Sequence, residues 1–140
     1  MGALNEWHDY EIEWTPDYIK WTVDGSVKRI VNAGTASVNF TNKAQHLMMN
    51  FWTPTFYPWN IGRQNYNMPW YALYDYVEVW NYNQTTKSFE FNFRDDFTSD
   101  YIDTSRWYVS DGWTFESNDS LFLKSQVYQA NGYMCLQMKA

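Results

Sequence analysis

Hydrophobic and polar residues alternate with a period of two along much of the chain. From His8 to Trp14, Tyr10, Ile12 and Trp14 fall on one face and Glu11 and Glu13 on the other, the pattern of a half-buried strand. Thr15-Pro16-Asp17 predicts a turn and Tyr18–Val23 a second strand. Asp24-Gly25 predicts a hairpin turn, with Ser26–Val31 returning as the third strand. Residues 33–41 read as loop, and Gln45–Trp52 (QHLMMNFW) as an apolar-flanked strand. Residues 53–69, with three prolines and several aromatics, predict a long loop; a loop of that length in a compact domain is usually functional. Trp70–Tyr82 predicts one long strand. Residues 83–88 read as a polar linker or exposed loop, Phe89–Phe97 as another strand, and Asp103–Trp107 as a short helical turn at most. Trp113–Glu116, Leu121–Lys124 and Tyr133–Lys139 predict short strands. No helix is expected. Short strands separated by turns define an all-β fold class, an antiparallel β-sandwich or jelly roll.

Composition adds a function class to this picture. The 140 residues include 9 Trp, 12 Tyr and 9 Phe, more large rings than a core of this size needs. Tyr and Trp join flat apolar surface to a polar handle, so some of them are expected on a binding face. The net charge of −6 argues against nucleic acid, whose binding requires a basic patch. No stretch approaches the roughly 18 apolar residues of a membrane span. Cys135 is the single cysteine. It lies in an apolar run and reads as a small buried hydrophobe; no disulfide framework follows from one thiol. His8 and His46 lie in different predicted strands without zinc spacing. Three N-x-Ser/Thr sequons, at Asn39, Asn83 and Asn118, fit a secreted or extracellular protein, although the opening residues carry no signal-peptide pattern.

Several strings together resemble glycoside hydrolase family 16, specifically the 1,3-1,4-β-glucanases (lichenases). They are His8-Asp9-Tyr10-Glu11-Ile12-Glu13-Trp14-Thr15-Pro16-Asp17-Tyr18-Ile19-Lys20-Trp21-Thr22-Val23-Asp24-Gly25, Leu47-Met48-Met49-Asn50-Phe51-Trp52, and Tyr74-Asp75-Tyr76-Val77-Glu78-Val79-Trp80. The resemblance implies a concanavalin-like jelly roll. The order after residue 83 is unusual. Asn92-Phe93-Arg94-Asp95-Asp96-Phe97, Asp103-Thr104-Ser105-Arg106-Trp107 and Asp111-Gly112-Trp113-Thr114-Phe115 resemble the segment that opens ordinary lichenases, yet here they follow the family's closing strand. That is the order of the circularly permuted rumen enzymes. The expected organisation is therefore a C-terminal-type half at 1–82, a linker at 83–88, and permuted N-terminal-type strands at 89–140.

The resemblance also exposes a gap. Catalysis in the family rests on a Glu-x-Asp-x-x-Glu strand, and no such string occurs in these residues. Retaining chemistry needs two carboxyl groups about 5–5.5 Å apart. Glu11 and Glu13 share a face but belong to a different strand of the family, and the Asp75–Glu78 spacing points the two side chains to opposite faces. No catalytic residue is assigned. The resemblance implies substrate contacts at Trp14, Asn50, Trp52, Trp113 and Phe115. Trp21, alternating with Ile19 and Val23, reads as core, and Trp59 in the long loop as a further platform. Asn50, set in an apolar strand, is expected to bury its amide and to satisfy it with a ligand hydroxyl or backbone. The resemblance further implies a structural calcium held by Asp75, Asp96 and Gly132, since calcium takes hard oxygen ligands, carbonyls included.

Three readings of function follow. The chain is one piece of a β-glucan hydrolase whose catalytic strand comes from a complementary chain or a domain swap. Alternatively it is a non-catalytic, lectin-like carbohydrate-binding module, or a structural assembly protein that reuses the scaffold. A partial sandwich leaves open sheet edges, which favour a complementary chain or a homo-oligomer.

Overall fold

A computed structural model describes residues 6–35, 44–56 and 69–139; Trp59 and the Asn39 sequon lie outside the described residues. The chain divides into two units. The first comprises residues 1–46 and 81–90, the second residues 47–80 and 91–140.

The first unit holds an antiparallel sheet in the order β1-β2-β3, with β1 at Tyr10–Trp14, β2 at Tyr18–Val23 and β3 at Ser26–Asn32. Turn chemistry sets its register. Thr15 is 2% exposed. Its hydroxyl donates to the Tyr18 carbonyl at 3.1 Å and accepts the Asp17 and Tyr18 amides at 3.2 and 3.0 Å, which closes β1 onto β2 with Glu13 opposite Lys20. At the other end Asp24 and Gly25 have φ of 50° and 70°, the backbone of a two-residue I′ turn. Asp24 ties this turn to the start of β1, accepting the His8 ring at 2.8 Å and the Asp9 amide at 3.0 Å. A register shift at Trp21/Thr22 marks a bulge. Trp21 is half-buried, with the Arg29 guanidinium 5.4 Å from its ring. The expected faces of β1 are seen, but the apolar one stays open: Tyr10 is 77% exposed and Ile12 62%.

The second unit holds a sheet in the order β4-β8-β7, with β4 at Trp70–Tyr74, β7 at Val127–Ala130 and β8 at Tyr133–Met138. β7 and β8 are joined by Asn131-Gly132, both at positive φ. On one face Met134 and Leu136 are buried with Phe97 at their centre, and Met49, Phe51, Ala72, Tyr74, Ile102 and Trp107 pack around them. Phe97 is 1% exposed at a φ of 54°, a left-handed backbone that costs a bulky residue energy unless its surroundings fix it. Asp95 does so. Its carboxylate accepts the Phe97 amide at 3.1 Å and the Trp107 indole N–H at 2.7 Å. Cys135 is buried as expected, and burial pushes its thiol above the ordinary value.

β5 (Val77–Asn83) and β6 (Ser88–Asp95) pair as a hairpin. Residues 83–88, expected to be a linker or exposed loop, form its turn: Asn83 Oδ1 accepts the Thr85 and Thr86 amides, and Lys87 takes a φ of 57°.

Four strand expectations need correction. Residues 44–53 carry no strand. The apolar run there is explained by Met49 and Phe51 packing on the Phe97 cluster, which asks for burial but no ladder. Trp70–Tyr82 is two strands broken at Asp75-Tyr76, because Tyr74 closes the pairing with Met134 and Val77 opens a different pairing. Trp113–Glu116 and Leu121–Lys124 are irregular apart from one bridge between Trp113 and Phe122, and Lys124–Gln126 is a turn of 3₁₀ helix. β7 went unpredicted, although Asn-Gly after it is a strong hairpin signal.

Candidate functional site

Three of the five candidate sugar-contacting residues meet in the second unit. The Trp52 and Phe115 rings lie edge to face, with centroids 5.1 Å apart and planes at 70°. Trp113 lies 6.3 Å from Phe115. Phe122, which the sequence did not single out, joins them, 5.2 Å from Trp113 and stacked on Phe115 at 6.1 Å and 26°. Trp113 is 47% exposed and Phe115 38%, so the cluster has an open side.

A frame of local and distant bonds holds these rings. The segment that carries Trp52 is laced to the loop that carries Trp113. The Asp119 amide donates to the Thr53 carbonyl at 2.9 Å and the Thr55 amide to the Ser117 carbonyl at 3.0 Å, while the Thr53 amide reaches Ser120 Oγ at 3.2 Å. Within the loop, Asn118 binds Ser120 at both amide atoms, each at 2.9 Å, and the Thr114 hydroxyl donates to the Ser120 carbonyl at 2.8 Å. The Asn118 sequon thus serves the frame. The hydroxyls, amides and backbone groups around the rings bond to one another, and the open side offers flat ring surface. Such groups neither give nor take a proton near neutral pH.

The other two candidates sit differently. Asn50 is exposed, which corrects the expected buried amide; with no ladder at residues 44–53 its side chain turns outward. Trp14 belongs to the first unit, at the end of β1 opposite Ile19, and is 37% exposed.

The acidic groups are engaged elsewhere. Glu13 pairs with Lys20 and accepts the Tyr18 hydroxyl at 2.7 Å. Burial raises the Glu13 carboxyl, but bonds from Lys20, Tyr18 and Glu11 outweigh it and hold the group below its usual range. Glu11 is raised, first by its bond to Glu13 and then by burial, and Tyr18 is pushed up to about 12 by the Glu13 carboxylate. The Glu13 carboxylate is thus held by Lys20 and Tyr18 within the β1–β2 ladder. Glu78 accepts Arg94 at 2.7 Å and is held low by it. Asp75 is exposed in the break after β4. Asp96 accepts the Thr98 hydroxyl at 2.8 Å, which lowers its carboxyl. Gly132 forms the β7–β8 turn with a φ of 78°. Among the described residues no group of three or more His, Cys, Asp or Glu is placed to hold a metal.

The fold is an antiparallel all-β one with a framed, half-open ring cluster, and comparison with known families makes the class specific. Residues 2–72 match the family described as glycosyl hydrolases family 16. A beta-glucanase of Fibrobacter succinogenes is 31% identical over 141 residues, covering 98% of this chain and 39% of the relative. Beta-glucanases of Paenibacillus macerans and Bacillus subtilis are 39% and 37% identical over 78 and 77 residues, about 56% and 55% of this chain and 31% and 30% of theirs. The chain belongs to glycosyl hydrolases family 16, and it spans less than two fifths of the length of these relatives.

Proposed function

We propose that the chain supplies the glucan-stacking wall of a family 16 β-glucanase cleft, with Trp52, Trp113 and Phe115 as the stacking surface. The observation that carries this reading is the ring cluster itself: Trp52 and Phe115, 63 positions apart in the chain, are brought edge to face and held by a polar frame with one side open. Hydrolysis then requires a complementary segment bearing Glu-x-Asp-x-x-Glu, a string these residues do not contain, while Glu13 and Glu78 are held by Lys20 and Arg94. The uncovered apolar face of β1 supports such a complement, since exposed contiguous apolar surface marks an interaction site. The circularly permuted order is supported by the match to the Fibrobacter relative across 98% of the chain, where the Paenibacillus and Bacillus relatives align over little more than half. A secreted location accords with a polysaccharide substrate.

The same reading includes a structural calcium at Asp75, Asp96 and the Gly132 carbonyl. Each adjoins the buried cluster: Asp75 follows Tyr74, Asp96 precedes Phe97, and Gly132 lies two residues before Met134. Both carboxylates are exposed, and carboxylate and carbonyl oxygens are the donors a hard cation takes. It would pin the ends of β4, β6 and β8 and take no part in bond cleavage.

The test is complementation. Adding a polypeptide that carries the family's Glu-x-Asp-x-x-Glu strand to this chain is expected to release reducing ends from mixed-linkage β-glucan, and Trp113→Ala is expected to reduce that release. Glucan binding that persists with no gain of hydrolysis would favour the non-catalytic binding module, a reading supported by the engagement of Glu11 and Glu13. Absence of any glucan binding would defeat both.

A further inference from the structure

We propose that Phe122 is a positioning residue whose ring fixes the plane of Trp113 for stacking on a sugar. The proposal rests on the reading of the ring cluster as a β-glucan site. Trp113 is nearly half exposed and sits on a loop, where an unsupported indole samples several rotamers. Its nearer ring neighbour is Phe122, at 5.2 Å against 6.3 Å for Phe115. Phe122 is itself half-buried and stacks on Phe115, which in turn carries Trp52. It is therefore the inner ring shared by the exposed pair.

The backbone prevents this support from drifting. The Phe122 amide donates to the Trp113 carbonyl at 3.0 Å, and the Phe122 carbonyl accepts the Gly112 amide at 2.8 Å. One step further, the Lys124 amide donates to Asp111 Oδ1 at 2.9 Å. Gly112 makes the bend with a φ of 70°. These bonds involve main chain on the Phe122 side, so they survive a change of its side chain. A variant at 122 removes the ring and leaves the tether.

Immobilising a rotamer-rich side chain at binding costs an amount equivalent to roughly 2- to 12-fold in affinity. Pre-ordering by Phe122 removes that cost, so its loss should restore it. Chains of this sequence carrying Phe122→Ala, Phe122→Leu, Phe122→Tyr and Trp113→Ala would be titrated with a mixed-linkage β-glucan oligosaccharide. In parallel, fluorine NMR of 5-fluorotryptophan-labelled protein would follow the Trp113 signal, assigned through Trp113→Phe. Phe122→Ala is expected to bind roughly 2- to 12-fold more weakly and to broaden or split the Trp113 signal. Phe122→Leu is expected to show part of the loss and Phe122→Tyr to bind as the parent does. If Phe122→Ala fails to fold, Phe122→Leu decides. Unchanged affinity and an unchanged Trp113 signal in folded 122 variants, with binding still lost in Trp113→Ala, would overturn the role of Phe122 and leave the glucan site standing. Unchanged binding in Trp113→Ala would remove the site and the proposal together.

Discussion

The two units solve opposite halves of the folding problem. The β1–β3 sheet has continuous ladders and well-bonded turns, yet its apolar face at Tyr10 and Ile12 is open. The second unit has short strands and much irregular chain, yet it contains all of the fully buried apolar side chains among the described residues, with Phe97 at their centre. Hydrogen bonds fix register without making a core, because each is exchanged against water and gains only about 1 kcal/mol net. Burial makes the core, and the chain anchored around it carries the bonded frame that holds Trp52, Trp113 and Phe115. The functional candidates that converge do so in the unit that has a core.

This contrast can be broken from either side. The largest effect is expected at Phe97. Phe97→Ala should cost about 3–5 kcal/mol in denaturant unfolding, while Ile12→Ala on the open face should stay within about 0.5 kcal/mol. Comparable losses at the two positions would show that the β1 face is covered in solution. Next comes Asp95. Alanine there strands the Trp107 indole N–H and releases the backbone of Phe97, for an expected cost of about 1–3 kcal/mol read by the same unfolding curves.

In the first unit the strongest single-residue test is Thr15→Ala. It deletes a buried hydroxyl that makes three bonds, with an expected loss of about 1–2 kcal/mol; amide exchange should speed up at Tyr18 and along β1 while the protection of β8 is unchanged. A smaller effect is expected from pH. Asp24 is lowered from its ordinary value of 3.8, chiefly by the His8 bond. Its contribution is therefore present above that value and fades as pH falls through the folded value. Asp24→Asn should flatten the acid limb of the β1–β3 melting profile; an unaltered limb would remove Asp24 from the account.

The same contrast explains what could be read from the chain. Strands β1, β2 and β3 were legible because alternation, Thr15-Pro16-Asp17 and Asp24-Gly25 are local signals. The break at Asp75-Tyr76 and the loss of a strand at residues 44–53 depend on which segment offers a ladder, and that choice is made by distant chain. Trp52, Trp113 and Phe115 were identifiable through family resemblance, but their convergence depends on the bonds of Thr53 and Thr55 to a loop more than sixty residues away. Phe122 was missed for the same reason: a lone Phe in a short apolar run carries no mark of the rings it will support. The left-handed Phe97 was equally invisible, since a bulky residue is the last choice for positive φ and only the Asp95 bond together with the packing around its ring holds it there.

The most direct test of the account is calorimetric titration of mixed-linkage β-glucan into this chain alone. Stacking rings without an acid and nucleophile predict injection heats that saturate, return to baseline, and vanish in Trp113→Ala. Sustained heat flow from turnover, or no binding heat at all, would contradict it.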